Sequence, residues 1–284
     1  MAKRIRVAVA QSPVGCDPAA NGEAIRGLMV AAGEAGARLV QFPEGAVSGY
    51  PSGADAKRVL AGWPVDWDLV RRESERVAAL AAELGLWVVM GGNHRLTPPN
   101  RPHNSLYVIS DEGRLVGRYD KRLCSFTEIT DWYSPGFEPL TFEVDGFRFG
   151  CTLCIEVNFP ELFLEYRGLG VDCVLLSTFS EDPVFDVLAG GHAAAHNYFI
   201  GVSVPSRCSA AMPSGVVGPH GSWLTRCPAD GTAGLTWADL DRRDPRFAYA
   251  LDMCRPWRTR ARAGDLYEAR RVTGDPRSTD RMRF

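Results

Sequence analysis

Glu44, Lys121 and Cys154 put a carboxylate, an ammonium and a thiol in one chain, and each stands where a predicted strand ends: Glu44 beyond RLVQF, Lys121 after VGRYD, Cys154 after FRFGCTL. A thiol becomes a strong nucleophile once a base takes its proton. A carboxylate can be that base, and an ammonium can hold the oxyanion formed when a thiolate attacks a carbonyl. Taken singly, each residue is ordinary, because glutamate and lysine beyond a strand are mostly solvated and a cysteine closing an apolar strand mostly fills core. Their shared placement matters more, since α/β enzymes assemble their sites at strand ends.

The elements that would position them are legible as an alternation. Arg6 to Gln11 reads as a strand, Ala19 to Gly36 as a helix, and Ala37 to Phe42 as a second strand, a β-α-β rhythm. Trp67 to Leu84 is an Ala- and Leu-rich helix with Gly85 at its C-terminal cap, and Leu86 to Met90 a buried strand. Ser105 to Ser110 and Arg114 to Tyr119 flank Asp111-Glu112-Gly113; Thr141 to Val144 and Phe147 to Cys154 flank Asp145-Gly146. Both pairs read as hairpins, which among crossovers imply mixed sheets. A helix over Pro160 to Arg167, a strand over Cys173 to Ser177, a helix over Asp186 to Tyr198 and a strand over Phe199 to Pro205 follow. The tail from Arg255 carries nine arginines with little apolar periodicity and reads as an arm.

Composition bounds the partners. Apolar residues are 45% and charged residues 23% of 284, enough for one buried α/β core rather than disorder. With 32 Lys and Arg against 34 Asp and Glu, the net charge of −2 lacks the basic excess that nucleic-acid binding usually demands. No run approaches the roughly 20 apolar residues of a membrane helix, and the apolar run after MAKRI stops at Gln11 without a cleavage site. A cytoplasmic protein without nucleic-acid or membrane partners is expected, its eight dispersed cysteines mostly reduced.

FPEGAVSGY at 42 to 50, GRYDKRL at 117 to 123 and GCTLCIEVNFPEL at 150 to 162 resemble, in order and spacing, the three motifs of the nitrilase (carbon-nitrogen hydrolase) superfamily. RVAVAQSPV, GGNHR, YSPG, VVGPHGSWL and ADLDR extend the likeness along most of the chain. The resemblance implies a single α-β-β-α sandwich over residues 1 to 254, with 255 to 284 an arm that reaches a subunit interface in a homodimer or higher homo-oligomer. It implies Glu44 as general base, Lys121 as oxyanion holder, Cys154 as nucleophile and Glu128 as a second glutamate that positions substrate. The backbone N–H of Ile155 would be a second oxyanion donor. The reaction would be hydrolysis of a small non-peptide C–N bond, a carboxamide or N-carbamoyl amine, through a thioester and without metal or cofactor. Nitrile hydrolysis and acyl transfer to an acceptor other than water are the alternatives.

Around the site the resemblance sets Tyr50, Trp132, Tyr133, Phe179, Ser180, Arg207 and Cys208, and Arg207 could grip a substrate carboxylate with two prongs. With them stand Ile155 and Glu156, where many members have Asp in place of Glu156. The chain departs from the family in three further places. Lys121-Arg122-Leu123 replaces K-x-H-L, which predicts a reshaped lysine loop. Ala193-Ala194-Ala195-His196-Asn197 replaces R-A-x-E-N, which predicts different packing. Ile155 replaces the tryptophan of C-W-E in nitrilases proper, which favours an amide or carbamoyl substrate. Cys151 and Cys154 also form a C-x2-C pair and His192 and His196 an H-x3-H pair, so zinc or dithiol chemistry is a remote alternative. Against it, residues 151 and 154 of one strand would face opposite ways.

Overall fold

The computed structural model describes residues 4–51, 65–282 and 284. The first three residues, part of the basic stretch weighed above, lie outside the described residues. Twelve strands are described: β1 Arg4–Gln11, β2 Leu39–Gln41, β3 Trp87–His94, β4 His103–Ile109, β5 Leu115–Asp120, β6 Thr141–Val144, β7 Phe147–Leu153, β8 Cys173–Ser177, β9 Phe199–Ser203, β10 Gly215–Val217, β11 Trp223–Arg226 and β12 Gly234–Asp241. They form two six-stranded sheets, ordered β12-β1-β2-β3-β4-β5 and β11-β10-β9-β8-β7-β6. Parallel pairing runs through β1-β2-β3 and through β7-β8-β9, and antiparallel strands flank each set, so both sheets are mixed.

Helices α1 Pro18–Glu34 and α2 Trp67–Leu84 cover the outer face of the first sheet; α3 Pro160–Gly168 and α4 Val184–His196 cover the second. Local chemistry starts and stops them. Asp17 and Asp66 accept from the N–H of Ala19 and Leu69 at the helix starts. Gly85 closes α2 in the left-handed conformation at φ 58. Asp145 and Gly146, at φ 50 and 81, make the tight β6-β7 hairpin as read from sequence.

Between the sheets Val7, Val9, Leu39 and Val108 pack against Phe147, Phe149, Leu153 and Leu175. The result is the four-layer, single-domain α-β-β-α sandwich expected from the sequence. The tail is more ordered than its lack of apolar periodicity suggested. Residues Arg255–Ala263 form helix α5, whose Arg258 guanidinium donates to the carbonyls of Ala194 and Ala195 and to Asn197 Oδ1. A cation at the carbonyl end of α4 meets the negative end of that helix's dipole. The helix buries none of its residues and is tied down by polar contacts instead.

Candidate active site

Glu44 lies just past β2, in a turn whose backbone crosses directly over Gly91 of β3. A side chain at 91 would run into the backbone of Pro43, Glu44 and Gly45. Lys121 follows β5, its N–H bonded to the carbonyl of Asn104 on β4 at 2.8 Å. Glu128 opens a five-residue turn, Glu128–Trp132, and its Oε2 accepts the N–H of Ser125 at 2.7 Å. All three side chains are at most 1% exposed. They converge: Lys121 Nζ is 2.9 Å from Glu44 Oε1 and 2.8 Å from Glu128 Oε1. Asn104 Nδ2 donates to the same two oxygens at 2.7 and 3.2 Å, and Tyr50 O–H donates to Glu128 Oε1 at 3.0 Å. Glu44 Oε2 is buried and makes no hydrogen bond among the described residues.

Cys154 comes from the other sheet. β7 ends at Leu153, and Cys154 takes the left-handed conformation at φ 50, a strained geometry for a residue with a Cβ. It opens the tight turn Cys154–Asn158. Glu156 pins that turn. Its carboxylate accepts from the N–H of Leu153 at 2.7 Å, from Arg122 and Leu123 at 2.7 and 3.1 Å, and from Tyr119 O–H on both oxygens. Glu156, grouped with the substrate-contacting residues on sequence, is therefore occupied in tying the cysteine turn to the lysine loop. Arg122, in the lysine loop where the histidine of K-x-H-L is missing, ties that loop to α3 as well through an ion pair with Glu165 at 2.8 Å.

The electrostatics shift the two carboxylates in opposite directions. Burial, with the charge of Glu128, pushes Glu44 above the usual carboxylate range despite Lys121 and Asn104. Glu128 is also buried, yet the charge and hydrogen bond of Lys121, the Ser125 N–H and the Tyr50 hydroxyl hold it below that range. Burial pushes the Cys154 thiol up to about 12, the charge of Glu44 adding to it while Lys121, the Thr178 side chain and the Phe179 N–H pull it back. Lys121 stays charged because Glu44, Cys154 and Glu128 outweigh its desolvation. A thiol so raised is protonated at neutral pH and needs a base beside it. A carboxylate with a raised pKa and one free oxygen suits that task, and the depressed one remains an anion.

Aromatic rings wall the approach. Tyr50 stacks on Phe179 at 4.9 Å and meets Trp132 edge-on at 5.9 Å, and the Arg207 guanidinium lies 4.5 Å over the Phe179 ring. Tyr133 is buried behind them, its hydroxyl donating to Asn93 Oδ1 at 2.9 Å. Ile155 packs on the apolar layer between the second sheet and its helices. A separate cavity of about 580 Å³ lies beyond the first sheet, lined by Trp67, His94 and Tyr107 among others, and by none of Glu44, Lys121, Glu128 or Cys154.

The remote metal set is not gathered. Cys151 belongs to the core between the sheets and Cys154 to the layer outside the second sheet. His192 bonds the Val157 carbonyl and stacks on Phe163 at 3.8 Å. Two residues of the site went unread in the sequence, Asn104 and Tyr119. Asn104 lies opposite Asn93 in the β3-β4 register, a pairing that only the structure shows.

A model of the carbon-nitrogen hydrolase family matches residues 6–248. Among curated relatives, a hydrolase of Mycobacterium tuberculosis is 31% identical over 186 residues, 60% of this chain and 59% of that protein, so the match spans less than two thirds of its length. An arylacetonitrilase of Fusarium vanettenii is 28% identical over 298 residues, covering 85% of each chain. Among solved structures, an amidase of Nesterenkonia sp. AN1, in a mutant form with the acetamide moiety of fluoroacetamide added at its active-site cysteine, superimposes with a TM-score of 0.73. It is 21% identical, with 90% of this chain and 96% of that chain covered, a likeness of fold. Among the described residues no helix is long and apolar enough to cross a membrane.

Proposed function

Because this chain belongs to the carbon-nitrogen hydrolase family, we propose that it hydrolyses a small carboxamide or N-carbamoyl amine through a thioester on Cys154. The observation that carries the reading is the buried convergence of Glu44, Glu128 and Lys121 beside a cysteine held in a strained strand-end turn. Glu44 takes the thiol proton and the sulfur attacks the amide carbon. The oxyanion is met by Lys121 Nζ and the Ile155 N–H. Glu44 returns its proton to the leaving nitrogen, the C–N bond breaks, and ammonia or amine departs from a thioester. Water then gives a proton to Glu44 and attacks the thioester carbon, releasing the acid and restoring the thiol. Glu128 stays anionic, holds Lys121 and presents acceptor lone pairs to the substrate amide.

The Arg207 guanidinium over Phe179, itself stacked on Tyr50, supports substrates that end in a carboxylate a few atoms from the amide. The test is ammonia release from a panel of carboxamides, N-carbamoyl amines and nitriles, with and without a distal carboxylate, using wild type, Cys154→Ala and Arg207→Met. Turnover with wild type, none with Cys154→Ala and a trapped acyl adduct at Cys154 by mass spectrometry are expected. Arg207→Met should raise KM about tenfold for carboxylate-bearing amides alone, on the scale of one charge-assisted contact. No substrate turned over faster by wild type than by Cys154→Ala overturns the reading.

A further inference from the structure

Asn104 joins every polar member of the first sheet's half of the site. Its main-chain carbonyl takes the main-chain N–H of Lys121 at 2.8 Å, and its side-chain amide nitrogen donates to Glu44 Oε1 at 2.7 Å and Glu128 Oε1 at 3.2 Å. It is 1% exposed, and its strand partner Asn93 holds Tyr133. Lys121 Nζ bonds the same two oxygens, so each carboxylate has one oxygen occupied by the ammonium and the amide together. For Glu44 the consequence is specific, because only Oε2 is left for proton transfer. A carboxylate free to rotate about its last torsion would offer either oxygen; one clamped by two donors offers one, at a fixed angle.

We propose that Asn104 is a positioning residue that clamps the general base, orienting Glu44 so that its free oxygen serves Cys154 and setting the pH at which that oxygen becomes basic. The inference rests on the reading of Glu44 as base. The amide N–H favours the anionic form of Glu44, so removing it raises the pH at which Glu44 ionises. The charged and titratable groups around Glu44 are Lys121 from the end of β5, Glu128 and Tyr133 from the following turn, Tyr50, Cys124, Cys208, and Cys154 from the second sheet. Of these, Lys121 already bonds the same oxygen, so Asn104 acts as the second clamp on it and not as a substitute.

Two readouts test it on the intact protein: the pH profile of kcat/KM with the best amide of the panel, and the pH profile of Cys154 alkylation by iodoacetamide, mapped by peptide mass. Asn104→Leu removes the donor at similar volume, and Asn104→Asp sets an oxygen where the donor was. The acid limb of both profiles should move up by about one unit in Asn104→Leu, the scale of one hydrogen bond to a charged group. It should move further in Asn104→Asp, whose carboxylate repels Glu44 and Glu128. KM should change less than kcat. Wild type and variants sharing one acid limb, or Asn104→Asp shifting less than Asn104→Leu, overturns the proposal while leaving the hydrolase reading intact. A wild type that neither turns over amides nor alkylates at Cys154 overturns the reading beneath it.

Discussion

Replacing Lys121 by methionine should invert the usual dependence of stability on pH. The ammonium sits 2.9 and 2.8 Å from two carboxylates that are themselves fully buried. At an effective dielectric constant of 20, each contact carries about 6 kcal/mol of gross attraction. Desolvation offsets much of this in the intact site, but removing one partner of a buried pair strands the other and typically costs about 3–5 kcal/mol. Here two carboxylates are stranded together. Each would then favour its neutral form, with a folded-state pKa above the unfolded value of about 4.3. Stability from such a raised carboxylate is fully present below the unfolded pKa and is lost as pH rises through the folded one. One proton retained across three pH units is worth about 4 kcal/mol. Urea unfolding followed by tryptophan fluorescence at pH 5 and pH 8 should show the variant less stable than wild type at both, with a deficit larger by about 2–4 kcal/mol at pH 8. An equal deficit at the two pH values, or a larger one at pH 5, would refute the account of a single cation neutralising two buried anions.

Glu156→Gln should cost about 3 kcal/mol in the same unfolding assay and lower kcat, because an amide N–H₂ would face backbone donors of Leu153, Arg122 or Leu123 and leave at least one unpaired. A variant as stable as wild type would mean that the two loops are held by something else. Gly91→Ala should depress turnover about 100-fold, since the new methyl would lie 2.6 Å from Gly45 N and 2.8 Å from Glu44 Cα and displace the base. Turnover within a few-fold of wild type would show that the loop yields without moving the carboxylate.

Much of the sandwich was legible because its periods are strong. The strands at Arg4–Gln11 and Cys173–Ser177 announce themselves as short apolar runs, and the helix that Gly85 ends does so by its cap. Glu44, Lys121, Cys154 and Glu128 were legible only as a set, through motif order, and the structure brings the first, second and fourth into contact. Asn104 was not, because the strand was read from Ser105, one residue short of it, and an asparagine at a strand start reads as a turn residue. Glu156 was legible as a carboxylate but not in its use. Four of its five hydrogen bonds reach Tyr119, Arg122 and Leu123, and no local pattern reports a contact between residues thirty or more positions apart. The helix at Arg255–Ala263 escaped because it is rich in arginine and buries none of its residues, so no core-facing run of apolar residues marks it.

The division of the site between two sheets has a consequence for how the protein acquires its chemistry. Glu44, Asn104 and Lys121 ride on the first sheet and Cys154, Thr178 and Phe179 on the second. The sheets are riveted near the site by Gln41 to Ser177, Ser177 to the Phe42 carbonyl and Glu156 to the lysine loop. On the proposed mechanism neither sheet holds the nucleophile together with its base, so a chain with all its strands paired but its two sheets apart should be inert. During refolding, amide cleavage should return later than the far-ultraviolet signal of strand formation, in step with burial of the inter-sheet phenylalanines. If Cys154 and Glu44 act together as proposed, the return of turnover would time the docking of one sheet on the other.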